Sequence, residues 1–286
     1  MPTPQGWATP VLLLHGELQK WYLLLACCRQ QEKGRKGGPP AKSAMGSLDM
    51  PSLKQVLENH ARLTALLPGL SEQELVQFRK QVGGLIPANI EELLVYSEGF
   101  DYKPVGTVRF TGHEGFEFAE VFPRAIPELP DGCGNFWVVD ISPGSGAWGS
   151  VFYACHDPAV IVIQAVDLGM FLSQILAPNE SNPKNALNYV RKEAVPRIWK
   201  DDPWLISVHD ARNSQDPVVS NFAEQLPENF RLADLRSRKV GSGFSWGLAG
   251  PNTEVRRDGA ELLFGVEQKV PSFLKRVLTR TRRVAH

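Results

Sequence analysis

Three observations predict an α+β fold, with helices on one side of a mainly antiparallel sheet of about five to six strands. Apolar residues recur at helical spacing between residues 51 and 99, and at a spacing of two from Val105 onward. Three apolar runs, Asn135 to Ile141, Ser150 to Cys155 and Ala159 to Gln164, then follow in succession. Their connectors are too short for a crossover helix, so the three pair antiparallel. Helices and strands come in blocks rather than alternating, which sets α+β apart from α/β.

Residues 1–50 read as an upstream extension ending in a linker. The apolar patches Val11 to Leu14 and Trp21 to Cys28 are interrupted by His15, Glu17 and Lys20, whereas a membrane span needs about 20 mainly apolar residues. No basic stretch precedes them as in a secretory signal, and Leu24 to Cys27 only faintly resembles a lipoprotein cleavage box. Glu32 to Ser43 is rich in Gly, Pro and Lys, a linker composition.

Pro51 to Leu67 is a helix by the spacing of Leu53, Val56, Leu57 and Leu63, stopped at Pro68-Gly69. The next helix has a capping box, Ser71 with Glu74, and a hydrophobic staple, Leu70 with Leu75. Its face is Leu75, Phe78 and Val82, and Gly83-Gly84 close it. After Ile86-Pro87 a third helix carries Ile90, Leu93 and Leu94 and ends at Gly99. Val105 to Phe110 and Phe116 to Phe122 read as strands joined by a turn through His113-Glu114, and Pro123, Pro127 and Pro130 mark a loop-like crossing. Asp167 is an N-cap for a closing helix, Leu168 to Leu176.

The domain expected is residues 51–180, and residues 181–286 read as a small α+β extension. There Pro183 to Trp199 and Val218 to Leu226 read as helices, Lys239 to Leu248 and Glu261 to Gln268 as paired strands, and Ser272 to Val284 as a basic helix. No repeat of about 20–50 residues is visible.

The formal net charge is zero, but it is unevenly distributed. Residues 70–176 hold 14 Asp and Glu against 5 Lys and Arg, while both flanks are basic. An acidic centre argues against nucleic acid as its ligand and suits a basic protein partner. Four cysteines without a C-x-x-C pair fit reduced thiols in a cytoplasmic protein.

Each chemical candidate has a structural counterpart. His156-Asp157 is a possible base with its orienting carboxylate, or an Asp-Pro turn. Gly132-x-Gly134 resembles a phosphate loop but precedes a strand, so turn geometry is the simpler reading. Asp140 either meets a partner or caps a loop. Cys133, Cys155 and His156 lack a fourth ligand, so no metal or other cofactor is expected. Ser142 to Gly146 lacks the order of a nucleophile elbow. Trp148, if exposed, is an interface anchor. Glu91, Glu92, Glu98, Asp101, Glu114, Glu117 and Glu120 form either a partner surface or a solvated face.

The ordered set of motifs resembles the SUKH superfamily, which includes yeast regulators of cell-wall synthesis and killer-toxin resistance. It is carried by Leu70 to Gly84 with the Leu85-Ile86-Pro87 corner, Leu93-Leu94 to Glu98-Gly99, the run Asp131, Gly132, Gly134, Asn135 to Asp140, and Val151 to Tyr153 with His156-Asp157. The match spans roughly residues 65–176. It implies a non-enzymatic binding scaffold, with Pro87, Gly99, Asp131, Gly132, Gly134, Asn135, Asp140, His156 and Asp157 as structural motif residues. Many bacterial members look like immunity proteins that neutralise toxins, and fungal members act in cell-wall and signalling control. The expectation is therefore a toxin-neutralising module that occludes a basic protein partner, with neither nucleic acid nor membrane as its target. The alternatives are a regulatory scaffold for a cellular protein, with the basic last helix as its contact, or a hydrolytic or nucleotide-handling enzyme using His156, Asp157 and Asp140.

Overall fold

Two serines start the helical layer. In the computed structural model, which describes residues 52–268 except 117, 119–120, 177–185 and 248–252, Ser52 caps α1 (Leu53–Asn59) and Ser71 caps α2 (Glu72–Gln81). Both form the reciprocal capping box, with Gln55 and Glu74 as third residues. Leu75 is buried and Leu70 lies half-buried against the same cluster, as the staple predicts. Gly83 and Gly84 close α2 with φ of +91° and +101°, and the Gly84 N–H donates back to the Arg79 carbonyl. Helix α3 (Ala88–Tyr96) buries Ile90, Leu93 and Leu94.

α1 is shorter than its spacing suggests. Leu63 faces solvent, and the chain turns instead into β1 (Ala65–Leu66), which pairs antiparallel with β2 (Gly99–Tyr102). α3 stops at Ser97, and Gly99 opens β2 rather than ending the helix. A Cβ on Gly99 would lie 2.1 Å from the Val108 carbonyl oxygen, so only glycine lets β2 approach β3 (Gly106–Arg109).

The expected strand over 116–122 is absent among the described residues of that run; Phe118, Val121 and Phe122 are buried without pairing. The strand is β4 (Ala125–Pro130), where the prolines suggested a loop. β4 is an edge strand, where a residue without an N–H leaves fewer ladder positions unmade.

The three central runs are strands as expected: β5 (Phe136–Ile141), β6 (Trp148–His156) and β7 (Ala159–Ala165), all antiparallel. Asp167 caps α4 (Leu168–Ile175) by accepting from the Met170 N–H. Next come α5 (Ala186–Tyr189), a π-helical turn (Val190–Ala194) and α6 (Val195–Asp201). They lead to β8 (Leu205–Ser207), α7 (Val208–Arg212), α8 (Pro217–Glu224), β9 (Phe230–Asp234), β10 (Gly243–Ser245), β11 (Val255–Arg257) and β12 (Leu263–Glu267).

β10 and β12 do not pair with each other. β10 joins the central sheet, whose order is β10-β7-β6-β5-β4, while β12 lies between β11 and β9 in the sheet β11-β12-β9-β8. Gly243 makes this possible, because a Cβ there would sit 1.9 Å from the Ile161 carbonyl oxygen.

The central sheet is covered on both faces. Trp137, Val139, Val151, Tyr153, Val160 and Val162 face the helices, with Leu57, Phe78, Leu93, Phe171 and Ile198 opposite them. Phe136, Val138, Phe152, Ile161 and Ile163 meet Leu205, Ala233, Phe264 and Val266 of the second sheet. That sheet's other face, with Phe230, Leu232 and Leu263, carries α7 and α8. Both sheet faces are apolar, which explains why the three central strands lack a polar face. No helix among the described residues is long and apolar enough to cross a membrane. The N-terminal extension and Ser272 to Val284 lie outside the described residues.

Candidate functional site

The glycine-rich lead-in to β5 folds around one carboxylate. Asp131 accepts from the Cys133 and Asn135 N–H groups, from Asn135 Nδ2 at 2.7 Å and from the Tyr153 hydroxyl at 2.8 Å. Burial pushes the Asp131 carboxyl up, but these donors, Asn135 first, outweigh it and hold it below the usual range. Asn135 passes the network on, its Oδ1 meeting the His156 N–H at 3.0 Å and His156 Nδ1 at 2.8 Å. Gly134 takes a positive φ of +86°, and a Cβ there would meet the His156 ring at 2.9 Å. Burial, with the nearby Asp131 charge, raises the Tyr153 hydroxyl far above its ordinary range, and burial pushes the Cys155 thiol up to about 11. Asp131, Gly134, Asn135 and His156 thus converge on one knot that ties the β4–β5 turn to the end of β6. Gly132 and Asp157 are exposed in the turns beside it, and the Asp157–Pro158 bond is cis. Pro87 is the N-cap residue of α3.

Asp140 is elsewhere. It lies five strand positions from Asn135, roughly 16 Å along β5. Its two oxygens accept from both terminal nitrogens of Arg257 at 2.7 Å, with the side chains 8% and 5% exposed. The enzyme reading needs His156, Asp157 and Asp140 at one place, and the structure does not bring them together. Cys133 is exposed and Cys155 buried, both free thiols, and no metal-holding cluster forms among the described residues.

The acidic set divides. Glu91 pairs with Arg79 across α2 and α3 at 2.5 Å, Glu98 lies 3.6 Å from Arg109, and Asp101 accepts from the Thr107 hydroxyl. Glu92 and Glu114 are exposed, while Glu117 and Glu120 lie outside the described residues. Trp148 is half-buried, its ring tilted against Phe78 at 6.5 Å, and its Nε1 is buried with no described partner.

Among these carboxylates stand aliphatic side chains that composition alone could not place. Leu85 is 57% exposed, Val95 56% and Val76 41%. Val76 is three residues before Arg79 and Val95 four after Glu91, so the Arg79–Glu91 bridge sets both on one face of the helical pair. Leu85 sits at the corner of that pair, against the 142–147 loop at Gly146. Beside it, a groove of about 450 Å³ opens between the end of α2, the 111–114 turn and the start of β4. Phe78, Val82 and Ile126 line it together with His113, Glu114 and Arg124. Burial holds the His113 imidazole below its usual range, so it is neutral at pH 7. Arg124 reaches over the rim to donate to the Pro143 carbonyl at 2.8 Å.

Sequence reasoning missed Arg257, because nothing local signals a partner 117 positions from Asp140. It also missed the exposed aliphatics, since a leucine in a corner reads as core until its neighbours are known. The chain matches no family model, no curated protein and no solved structure.

Proposed function

We propose that this chain is a non-enzymatic protein-binding module that occludes a basic partner, in the manner of a toxin-neutralising immunity protein of the SUKH type. The observation that carries the reading is the α2–α3 face, where Val76, Leu85 and Val95 stand exposed beside Glu91, Glu92 and the Glu114 rim. An exposed apolar centre with charged groups at its rim, the carboxylates standing beside Arg79 and Arg124, suits a protein interface better than a small-molecule site. The apolar residues supply affinity, and the carboxylates steer a basic surface and fix its register. The inward hydrogen bonding of Asp131, Asn135 and Asp140 fits a structural role for the motif residues and leaves recognition to the helical face.

The test is affinity capture with the full chain and with a Leu85→Asp, Val95→Asp, Glu92→Lys variant, read by mass spectrometry. A basic protein held by the parent chain, released by salt and lost in the variant supports the module. An identical set of proteins held by both chains contradicts it.

A further inference from the structure

A second face, of the opposite charge, is built from α5, α6 and the 236–241 loop. The loop is locked to the helices. Arg197 Nη2 donates to the Gly241 carbonyl at 2.9 Å, and a Cβ on Gly241 would run into the Tyr189 ring at 2.5 Å. The Arg238 guanidinium lies over the Trp204 ring, 4.7 Å from its centroid, with its Nε donating to the Asp234 carbonyl. Lys192 on the π-helical turn, Lys200 on α6 and Lys239 in the loop are exposed, and no ion pair or side-chain hydrogen bond joins their amines to a described residue. These five cations share the face with two exposed carboxylates, Glu193 and Asp201.

What sets this face apart is how its arginines are held. Arg197 and Arg238 are anchored by backbone carbonyls and an aromatic ring and form no ion pair with a described carboxylate, although Asp234 lies near enough to Arg238 to feel its charge. A guanidinium held flat keeps edge N–H groups for a planar oxyanion, and less rotamer freedom is lost when one binds. The chain's own outlying segments are basic on balance, the same sign as the face. Residues 269–286 contain six Lys and Arg and no Asp or Glu, and residues 1–51 contain six basic and three acidic residues.

We propose that this face docks an acidic polypeptide segment from another protein, whose carboxylates pair with Arg197 and Arg238 while Lys200 and Lys239 steer the approach. A peptide suits the site better than a single-stranded nucleic acid, because bases need open aromatic faces on which to stack. Here the Trp204 ring lies under Arg238, and the Tyr189 ring packs against Gly241. The chain then carries two recognition faces of opposite sign.

The test uses the full chain with a short fluorescent Glu-rich peptide and, separately, a thymine oligonucleotide of matched charge, followed by anisotropy. The peptide is expected to bind and to weaken sharply between about 50 and about 200 mM salt. A Lys200→Glu, Lys239→Glu variant, whose altered amines form no ion pair or side-chain hydrogen bond with a described residue, is expected to keep its melting temperature and lose about tenfold in affinity. Failure of the peptide to bind, equal binding by the variant, or tighter binding of the oligonucleotide overturns the proposal. So does self-association of the chain that the variant abolishes, which assigns the face to a second copy.

Discussion

Glu128 is buried in β4, and neither of its carboxylate oxygens has a hydrogen-bond partner among the described residues. Burial raises its pKa well above the ordinary value, so the folded chain holds a proton that the unfolded chain releases. Between the unfolded and folded pKa values the native state binds more protons, and stability falls as pH rises through that window. Glu128→Gln removes the charging cost. The expected result is a gain of about 2 kcal/mol at pH 7, roughly 5 °C in melting temperature, shrinking toward zero near pH 4. Calorimetry across that range checks it, and a gain independent of pH contradicts the assignment. The Asp140–Arg257 pair makes the opposite case. Arg257→Ala strands a buried carboxylate and is expected to cost about 3–5 kcal/mol in urea unfolding, whereas Asp140→Leu with Arg257→Met costs less than the single change.

At the scale of elements, the helix starts and the three central strands were legible because their determinants lie within a few residues. Ser71 with Glu74, and Asp167 with Met170, are caps that a sequence displays directly. β4 was not legible, and β10 was legible as a strand but not in its partner. The prolines of β4 are tolerated only because it lies at a sheet edge, and β10 is three residues long, so neither period nor propensity marks it as a partner of β7. The aromatic run Phe116 to Phe122 misled for a related reason. Burial between two sheets selects large apolar residues whether or not the backbone pairs. Gly243 carries the decisive constraint, and Gly243→Ala is expected to push β10 off β7. Hydrogen exchange at Val160 to Val162 should then accelerate while α2 stays protected; unchanged exchange there contradicts the role given to this glycine.

At the scale of the molecule, residues 186–268 supply an edge strand and a second sheet that covers one face of the central sheet. A chain ending at residue 180 leaves Phe136, Val138, Phe152, Ile161 and Ile163 without that cover. It is expected to lose cooperative unfolding and to bind a hydrophobic dye; a sharp two-state melt contradicts the layer assignment. The charge asymmetry was legible in the sequence, but not how the structure sorts it. Asp131, Glu128 and Asp140 turn inward, while carboxylates of α2, α3 and the 111–114 turn are among those left exposed. The most direct test of the binding-module account is a hydrogen-exchange footprint of the full chain with the basic protein it captures. The account predicts slowed exchange over residues 72–96 and the 111–114 turn, with the rest of the chain unchanged. Protection centred instead on the Asn135–His156 knot, with none on the helical pair, contradicts it.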